Sequence, residues 1–272
     1  MAEPVTKNMS FLEHLEELRR RLWFAAIGIA VGVLVVVIFN DFVVKEVIMG
    51  PRNPDFWTYR FFCWMSQELG LNDALCLPAI TANLQNTTMS GAFSAYILVC
   101  ITGGIAIAFP WVFYQLWLFI KPGLREKEVR SVRGIVFFVS LLFFSGILFG
   151  YFILSPLSIQ FLFGFQFADT VNAPTTQSYL KIMTTLILGT GLIFQLPILI
   201  YFLAKIGLVT SAFLKKYRKH AFVVNLVIAA IITPPDVTSQ ILVTIPMLLL
   251  YEVSIVLAAR VEKKKAMTEP AV

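Results

Sequence analysis

Charged residues are scarce in this chain of 272 residues. Asp, Glu, Lys and Arg together make up 14% of it, whereas about 25% is usual for a soluble globular domain. Hydrophobic residues account for 58%, and 25 residues are phenylalanine. A soluble fold of this length has too little interior to bury so much apolar surface. The composition therefore excludes a soluble domain and predicts a membrane protein.

Histidine and cysteine are also rare, with two and three residues respectively. No serine in the apolar runs lies in a nucleophile motif with a histidine base, and the His, Cys and carboxylate residues do not cluster as metal ligands do. We therefore expect no enzyme activity, no cofactor and no metal. The net charge of +6 comes without a basic stripe interleaved with base-stacking aromatics, so we expect no nucleic-acid partner.

Uncharged runs locate the membrane spans, since a helix needs roughly 20 apolar residues to cross the hydrocarbon core. They predict an all-α polytopic fold with six transmembrane helices in one domain, residues 1–272. The fifth and sixth spans are short and are separated by the turn sequence Thr233-Pro234-Pro235-Asp236, which favours a helical hairpin; a single re-entrant element is the alternative. Short spans also favour local thinning of the bilayer. The predicted spans are 22–40, 91–120, 134–155, 181–204, 221–234 and 239–259.

Basic residues lie mostly on one side of these spans. Of the 22 Lys and Arg residues, 18 fall in four segments, which the positive-inside rule assigns to the cytoplasm. Both termini are then cytoplasmic, and in a bacterium the opposite side is the periplasm. The cytoplasmic segments are 1–21, 121–133, 205–220 and 260–272, and the periplasmic segments are 41–90, 156–180 and 235–238.

Two of these segments are expected to be structured. Within 1–21, Ser10 and Glu13 fit a capping box, and apolar residues recur at helical spacing, so an amphipathic helix leads into the first span. The segment 41–90 is rich in aromatic residues and proline and is long enough to hold short helices. It contains Cys63 and Cys76, for which a disulfide suits an oxidising compartment, although spacing alone leaves open whether their geometry permits one.

Five motifs occur in order along the chain, at 14–21, at 110–124 followed by Glu128, at 149–162, at 194–197 and at 233–240. They resemble those of the TatC family, a subunit of the twin-arginine protein translocase. The resemblance implies a receptor that binds the twin-arginine signal peptides of folded precursor proteins at the bacterial inner membrane. It implies export driven by the proton-motive force, with the single-span partners TatA and TatB, in an oligomer of TatB–TatC units. A six-span secondary transporter of a small solute or ion is the alternative, although no internal repeat supports it.

The resemblance points to Glu17 and Glu128 as the residues that bind the signal peptide. Each guanidinium group pairs bidentately with a carboxylate, so two carboxylates can clamp an arginine pair, whereas lysines would fit less well. The residues alone leave open that both acids merely neutralise neighbouring arginines. The residues expected to shape the same site, as its edge or its apolar floor, are Leu18, Arg19, Phe119 and Pro122. For the last two, interfacial anchoring and a helix stop are the alternatives.

Polar residues inside the predicted spans are costly in lipid and mark function or helix–helix contacts. Gln195 stands where the family often has a glutamate, and because an amide cannot ionise we expect no proton uptake there. The resemblance implies that Thr233 and Gln240 form a polar patch where TatA or TatB docks, although a turn cap and an interhelical bond would explain them equally well. Glu252 is expected to make a buried helix–helix bond. The remaining candidates are Gln115 in the second span, Asp236 as a helix cap and Pro51, which matches a family proline.

Overall fold

The structure is a computed structural model that describes the chain except residues 1–10, 71–75, 77–83, 124–133, 166–172, 234–236 and 269–272, and except the side chains of residues 11, 123, 238 and 265–268. The described residues are helical apart from turns, connecting segments and one isolated bridge between Gln85 and Thr175. The predicted all-α class is confirmed. The helices are α1 (Phe11–Ile38), α2 (Trp57–Glu68), α3 (Gly91–Ile120), α4 (Ile135–Phe149), α5 (Ser155–Gly164), α6 (Thr176–Ile193), α7 (Leu196–Ile206), α8 (Ser211–Lys216), α9 (Arg218–Ile232) and α10 (Val237–Thr268).

Five helical stretches among the described residues are long and apolar enough to cross a membrane, as expected for a multi-pass membrane protein. The predicted fifth span falls on α9, whose 15 residues measure about 22 Å at 1.5 Å per residue, less than the roughly 30 Å of a hydrocarbon core. The count of six spans and their orientation therefore stay predictions. The five stretches are Leu12–Ile38, Gly91–Ile120, Ile135–Gly164, Thr176–Ile206 and Ser239–Lys264.

Helix α3 coincides with the predicted second span, whereas the first and third predicted spans are parts of longer helices. The amphipathic segment and the first span form one continuous helix, α1. The third span passes its predicted end at residue 155, because a π-helical turn at Gly150–Leu154 leads directly into α5. Pro156 lies in the first turn of α5, where a missing backbone N–H leaves no helical bond unmade. The predicted loop 156–180 therefore begins with helix.

The fourth and sixth predicted spans also differ from the structure. The fourth is interrupted between α6 and α7, since Pro197 in the first turn of α7 has no N–H with which to continue the hydrogen bonding of α6. The sixth is not short, which corrects the prediction, because α10 has 32 residues. The polar C-terminal part of α10, residues 260–268, is helical because most of these residues are strong helix formers. It is also held by Glu262, which accepts hydrogen bonds from the backbone N–H and hydroxyl of Ser211 at the start of α8.

Helices α1 and α3 pack antiparallel, and close backbone contact fixes their register. A Cβ at Gly32 would lie 2.4 Å from the carbonyl oxygen of Gly104, and one at Gly28 would lie 2.2 Å from Cδ1 of Trp111. The same Trp111 donates its indole N–H to the carbonyl of Phe24 over 2.9 Å. Gly28 and Gly32 have the spacing of a small-residue helix-packing motif. We call the end where α1 begins and α3 finishes the basic end, and the opposite one the loop end.

At the loop end, three tyrosine hydroxyls hold the chain that follows α1. They come from α2, from the π-helical turn and from α6, so they join three elements to the segment 43–52. Pro51 is buried beneath them. Burial raises the pKa of Tyr59 to about 12, which is the direction expected for a phenol removed from water. The bonds run from Tyr59 to the carbonyl of Pro51 (2.5 Å), from Tyr151 to that of Val47 (2.7 Å) and from Tyr179 to that of Ile48 (2.9 Å).

The structure also joins Cys63 of α2 to Cys76 by a disulfide, with their Cα atoms 4.3 Å apart. The bond ties the C-terminal half of α2 to the chain beyond it. Phe56 and Trp57 pack on Phe152 of the π-helical turn, with ring centroids 5.7 and 5.9 Å away. The segment 41–90 thus contains a helix fastened to the bundle, as its aromatic content suggested.

Candidate functional site

The register of α1 and α3 brings two sequence motifs together at the basic end. The imidazole of His14 on α1 stacks on the ring of Phe119 near the end of α3, with centroids 4.5 Å apart and planes 24° apart. Pro122 follows in a 3-10 turn, Lys121–Gly123, and is exposed. The N-terminal part of α1, which carries Glu17, therefore lies beside the end of the second motif.

Glu17 already holds a guanidinium group, that of Arg21 one helical turn later. Its Oε1 atom accepts from Nε over 2.7 Å and lies 2.6 Å from Nη2, with side chains 20% and 21% exposed for Glu17 and Arg21. A partly exposed i,i+4 ion pair of this kind is worth only about 1 kcal/mol, so a competing cation can displace it. The observation establishes that this carboxylate can bind a guanidinium through two N–H groups.

Gln115 of α3 completes this arrangement from the neighbouring helix. Its amide oxygen accepts a longer hydrogen bond, 3.4 Å, from Nη1 of Arg21, and its side chain is only 3% exposed. We call Glu17, Arg21 and Gln115 the carboxylate cluster. Sequence analysis singled out Gln115 only as a polar residue in a span and did not connect it with Glu17. The link depends on the α1–α3 register, for which the Gly28 and Gly32 spacing is the available signal.

At 100° per residue, Arg19 lies on the opposite face of α1 from the carboxylate cluster, whereas Leu18 lies about a quarter of a turn from it. They line a shallow groove on the outer surface of the helix, with a cavity volume of about 430 Å³. Leu22 and Trp23 in the same groove are 54% and 63% exposed. The side chain of Arg19 therefore points away from Glu17, and Leu18 lies between the carboxylate cluster and this groove; their place in the signal-peptide site stays a prediction. The second expected acid, Glu128, lies outside the described residues, as does Asp236.

Gln195 sits at the interruption between α6 and α7 and is not part of the carboxylate cluster. Its Nε2 atom donates to the carbonyls of Val139 on α4, over 3.2 Å, and of Gly191, over 3.4 Å. Its Oε1 atom is buried and accepts no hydrogen bond from the described residues. The amide therefore ties the break in the fourth span to α4.

The three polar candidates of the last hairpin make ordinary local bonds. Thr233 is buried and donates to the carbonyl of Ala229 in its own helix over 2.8 Å. Gln240 of α10 donates across to the carbonyl of Leu226 on α9 over 3.2 Å. Glu252 bonds Arg218 over 2.7 Å and so joins α10 to α9 as expected.

The pair formed by Glu252 and Arg218 is not buried, which corrects the expectation. Both side chains are 50% exposed. The cause lies in α9, which begins at Arg218 itself, so no earlier turn of that helix covers the pair.

Within the described residues, no group of three or more His, Cys, Asp and Glu side chains has the arrangement needed to hold a metal ion. The site therefore consists of hydrogen-bonding and charged groups on α1 and α3. Its acceptors, a carboxylate and a buried amide oxygen, suit a cationic ligand rich in N–H donors.

Known proteins with the same sequence pattern are Sec-independent protein translocase proteins. The sequence model of the TatC family, described as Sec-independent protein translocase protein, matches residues 13–246. The TatC protein of a Blattabacterium from Periplaneta americana is 38% identical over 259 residues, which cover 94% of this chain and 97% of the relative. The TatCy protein of Bacillus subtilis strain 168 is 34% identical over 265 residues, covering 97% and 94%.

Solved structures agree. A crystal structure of the twin-arginine translocase receptor TatC matches with a TM-score of 0.69 and 31% identity, over 92% of this chain and 99% of that one. A second, in the detergent DDM, matches with a TM-score of 0.71 and 32% identity, over 90% and 99%. These similarities support the translocase interpretation over a small-solute transporter. The chain belongs to the TatC family of Sec-independent protein translocase proteins.

Proposed function

We propose that this chain is the receptor subunit that binds twin-arginine signal peptides of folded precursor proteins. The observation that carries the proposal is the Glu17 carboxylate, which holds the Arg21 guanidinium through two N–H groups. A signal-peptide arginine presents the same planar group and would replace Arg21 on Oε1. The solved relatives with this fold are twin-arginine translocase receptors.

The groups around Glu17 suit such a ligand. The buried amide oxygen of Gln115 offers a second acceptor to a guanidinium N–H, and the stacked rings of His14 and Phe119 lie about one helical turn from Glu17 and Gln115 along α1 and α3. Lysine would lose the fork geometry, since its ammonium is a compact point charge. Glu128 would supply the carboxylate for the second arginine. Leu18 would contact the ligand at the edge of the carboxylate cluster, and Arg19 where the ligand passes over the outer face of α1.

The proposal includes the membrane setting. The protein lies in the bacterial inner membrane with the basic end in the cytoplasm, where the positive-inside rule puts its Lys and Arg residues. Both termini are then cytoplasmic, and α9 is the fifth and shortest of six crossings. Because α9 is about 22 Å long, the bilayer beside it would be thinner than elsewhere, which would lower the barrier to moving a folded protein across.

TatA and TatB are the proposed membrane partners, with the proton-motive force as the energy source. Gln240 lies in the first turn of α10, near the exposed apolar residues Ile231 and Val237, which are 75% and 71% exposed. These apolar side chains, with the exposed hydrogen bond of the Gln240 amide beside them, form a surface that suits a single-span helix carrying a polar side chain. Gln195, being an amide, would hydrogen-bond at the broken span without taking up protons.

Peptide binding tests the receptor proposal. Purified full-length protein in detergent is titrated with a fluorescent signal peptide carrying Arg-Arg, and with a peptide in which both are Lys. We expect the twin-lysine peptide to bind at least tenfold more weakly, and Glu17→Gln to weaken twin-arginine binding by a similar factor, because a charged hydrogen bond is lost.

The matched control is Glu46→Gln, an exposed acid at the loop end, which should bind as the unmodified protein does. Equal affinity of unmodified protein and Glu17→Gln for the twin-arginine peptide would refute the assignment of Glu17.

A further inference from the structure

A second cavity at the basic end lies outside the carboxylate cluster, between the start of α9 and the middle of α10. Its volume is about 400 Å³. One half is charged and the other is made of rings and a leucine. The lining residues are Arg218, Lys219, Phe222, Leu248, Tyr251 and Glu252.

The depth of this cavity follows from the hairpin geometry. Arg218 begins α9, which ends at Ile232, and Glu252 lies 15 residues after Val237, where α10 begins. The Arg218–Glu252 bond therefore joins two levels that are each about 22 Å from the other end of the hairpin, at 1.5 Å per residue, which is somewhat less than the thickness of a hydrocarbon core. With the turn at one membrane surface, the charged half of the cavity lies at the other.

The charge of the cavity is positive. Two cations face one carboxylate, and the bond to Glu252 uses Nη2 of Arg218, one of several donor groups on a guanidinium. Arg218 is half exposed and Lys219 is exposed. Two more lysines, Lys215 and Lys216, end α8 immediately before, and the positive end of the α9 dipole points the same way.

The apolar half is preformed and continuous with the lipid-facing surface. The hydroxyl of Tyr251 donates to the carbonyl of Leu214 on α8 over 2.9 Å, which fixes its ring as a wall. Phe222 is 45% exposed, and Leu249 next to the cavity is 63% exposed. An acyl chain leaving the cavity therefore meets apolar side chains along α9 and α10.

We propose that this cavity binds the phosphate headgroup of an anionic phospholipid. Arg218 and Lys219 hold the phosphate, while Phe222 and Leu248 contact the glycerol and the first acyl carbons. Basic pockets between helices at a membrane surface bind anionic headgroups in this way. A lipid headgroup bound in this cavity holds the membrane surface at the level where the short helix α9 begins. An acidic protein segment would match the charges but would leave the apolar half unfilled.

Lipid titration tests the site. Delipidated full-length protein in detergent is titrated with phosphatidylglycerol or with phosphatidylcholine, and bound lipid is counted by native mass spectrometry. We expect at least a tenfold preference for phosphatidylglycerol, which the double variant Arg218→Gln/Lys219→Gln abolishes. The matched control, Arg260→Gln/Lys263→Gln, makes the same charge change at exposed positions of α10 outside the cavity and should keep the preference.

A third variant, Glu252→Gln, keeps both cations and removes their competitor, so it should bind phosphatidylglycerol more tightly. Equal binding of the two lipids, an equal loss in the control variant, or weaker binding by Glu252→Gln overturns the proposal. Inorganic phosphate and a poly-glutamate peptide serve as competitors. Displacement of the lipid by either at comparable concentration would assign the cavity to free phosphate or to an acidic protein instead.

Discussion

Arg21 holds the Glu17 carboxylate through two N–H groups, so any other guanidinium must compete with it. The pair is partly shielded, because both side chains are about four-fifths covered, and Gln115 accepts a further bond from Arg21. In the proposed mechanism Arg21 is an internal occupant of the receptor. Arg21 neutralises the Glu17 carboxylate until a ligand arrives. Because the ligand must displace Arg21, binding is weakened by the free energy of the Arg21–Glu17 ion pair.

Removing that occupant should strengthen binding. Arg21→Gln leaves an amide that can still hydrogen-bond Gln115 but cannot pair with the carboxylate. We expect the affinity for a twin-arginine peptide to rise about three- to tenfold, corresponding to the modest worth of a partly exposed ion pair, as measured by the same peptide titration. Arg20→Gln is the control, since Arg20 is exposed and lies over the ring of Phe24. Weaker binding by Arg21→Gln would mean that Arg21 helps to hold the ligand.

The local chemistry of the cluster could be predicted from the sequence, but its full membership could not. Glu17 and Arg21 are four residues apart, and that spacing alone predicts an ion pair on a helix. Gln115 joins them only because α1 and α3 pack in one particular register. That register is set by close contacts of Gly28 and Gly32; their spacing marks a helix-packing face on α1 but does not say which residues of α3 lie against it. The position of Arg19 on the other face follows from helical geometry once α1 is continuous.

At the scale of the elements, the packing of α1 against α3 positions the site. This packing depends on glycines, which have no side chain and allow the two helices to come into close contact. Gly32 lies against the backbone of Gly104, so even one methyl group forces the helices apart. Such separation would also move His14 from Phe119 and Arg21 from Gln115. The bounds of α3 could be predicted because an uncharged run fills it, whereas the break at Gln195 and the continuation through Pro156 depend on where each proline falls in a turn.

Gly32→Ala should therefore destabilise the protein and impair the receptor site. Overpacking of this kind costs about 1–3 kcal/mol, so we expect a lower melting temperature in detergent and weaker twin-arginine peptide binding. Gly164→Ala is the matched control, because no atom of the described residues lies within 4 Å of its added Cβ. Melting temperatures that fall equally in both variants would show that close α1–α3 contact is not the cause.

The tyrosine hydroxyl bonds at the loop end lead to a separate prediction. Tyr59→Phe removes the hydroxyl that bonds the Pro51 carbonyl, which should lower the free energy of unfolding by about 1 kcal/mol. Folding raises the pKa of Tyr59 from about 10 to about 12. The contribution of the protonated hydroxyl to the free energy of unfolding is therefore complete below pH 10 and is lost as the pH rises through 12. Thermal melts between pH 8 and 12 should show a shallower alkaline loss in the variant; identical curves would contradict this.

In the described part of the molecule, the two proposed binding sites lie at the same end. The basic end carries the carboxylate cluster on α1 and α3 and the proposed lipid cavity on α9 and α10, while the loop end carries the disulfide and the three tyrosine hydroxyl bonds to the segment 43–52. The uncharged runs predict the helices, and the distribution of Lys and Arg predicts the side on which each charged segment lies, which stays a prediction. The division puts the ligand-binding groups and the proposed membrane anchor on the same surface.

Cross-linking within the assembled membrane tests most directly whether the signal peptide binds at that end. A precursor with a photoreactive residue beside its twin arginines is added to inner-membrane vesicles containing the full chain, and cross-linked residues are mapped by mass spectrometry. The account predicts adducts on residues 14–21 of α1, on residues 115–120 of α3 and on Lys121 and Pro122 of the turn that follows it, which a twin-lysine precursor lacks. Adducts confined to the loop end, or to α9 and α10, would contradict it.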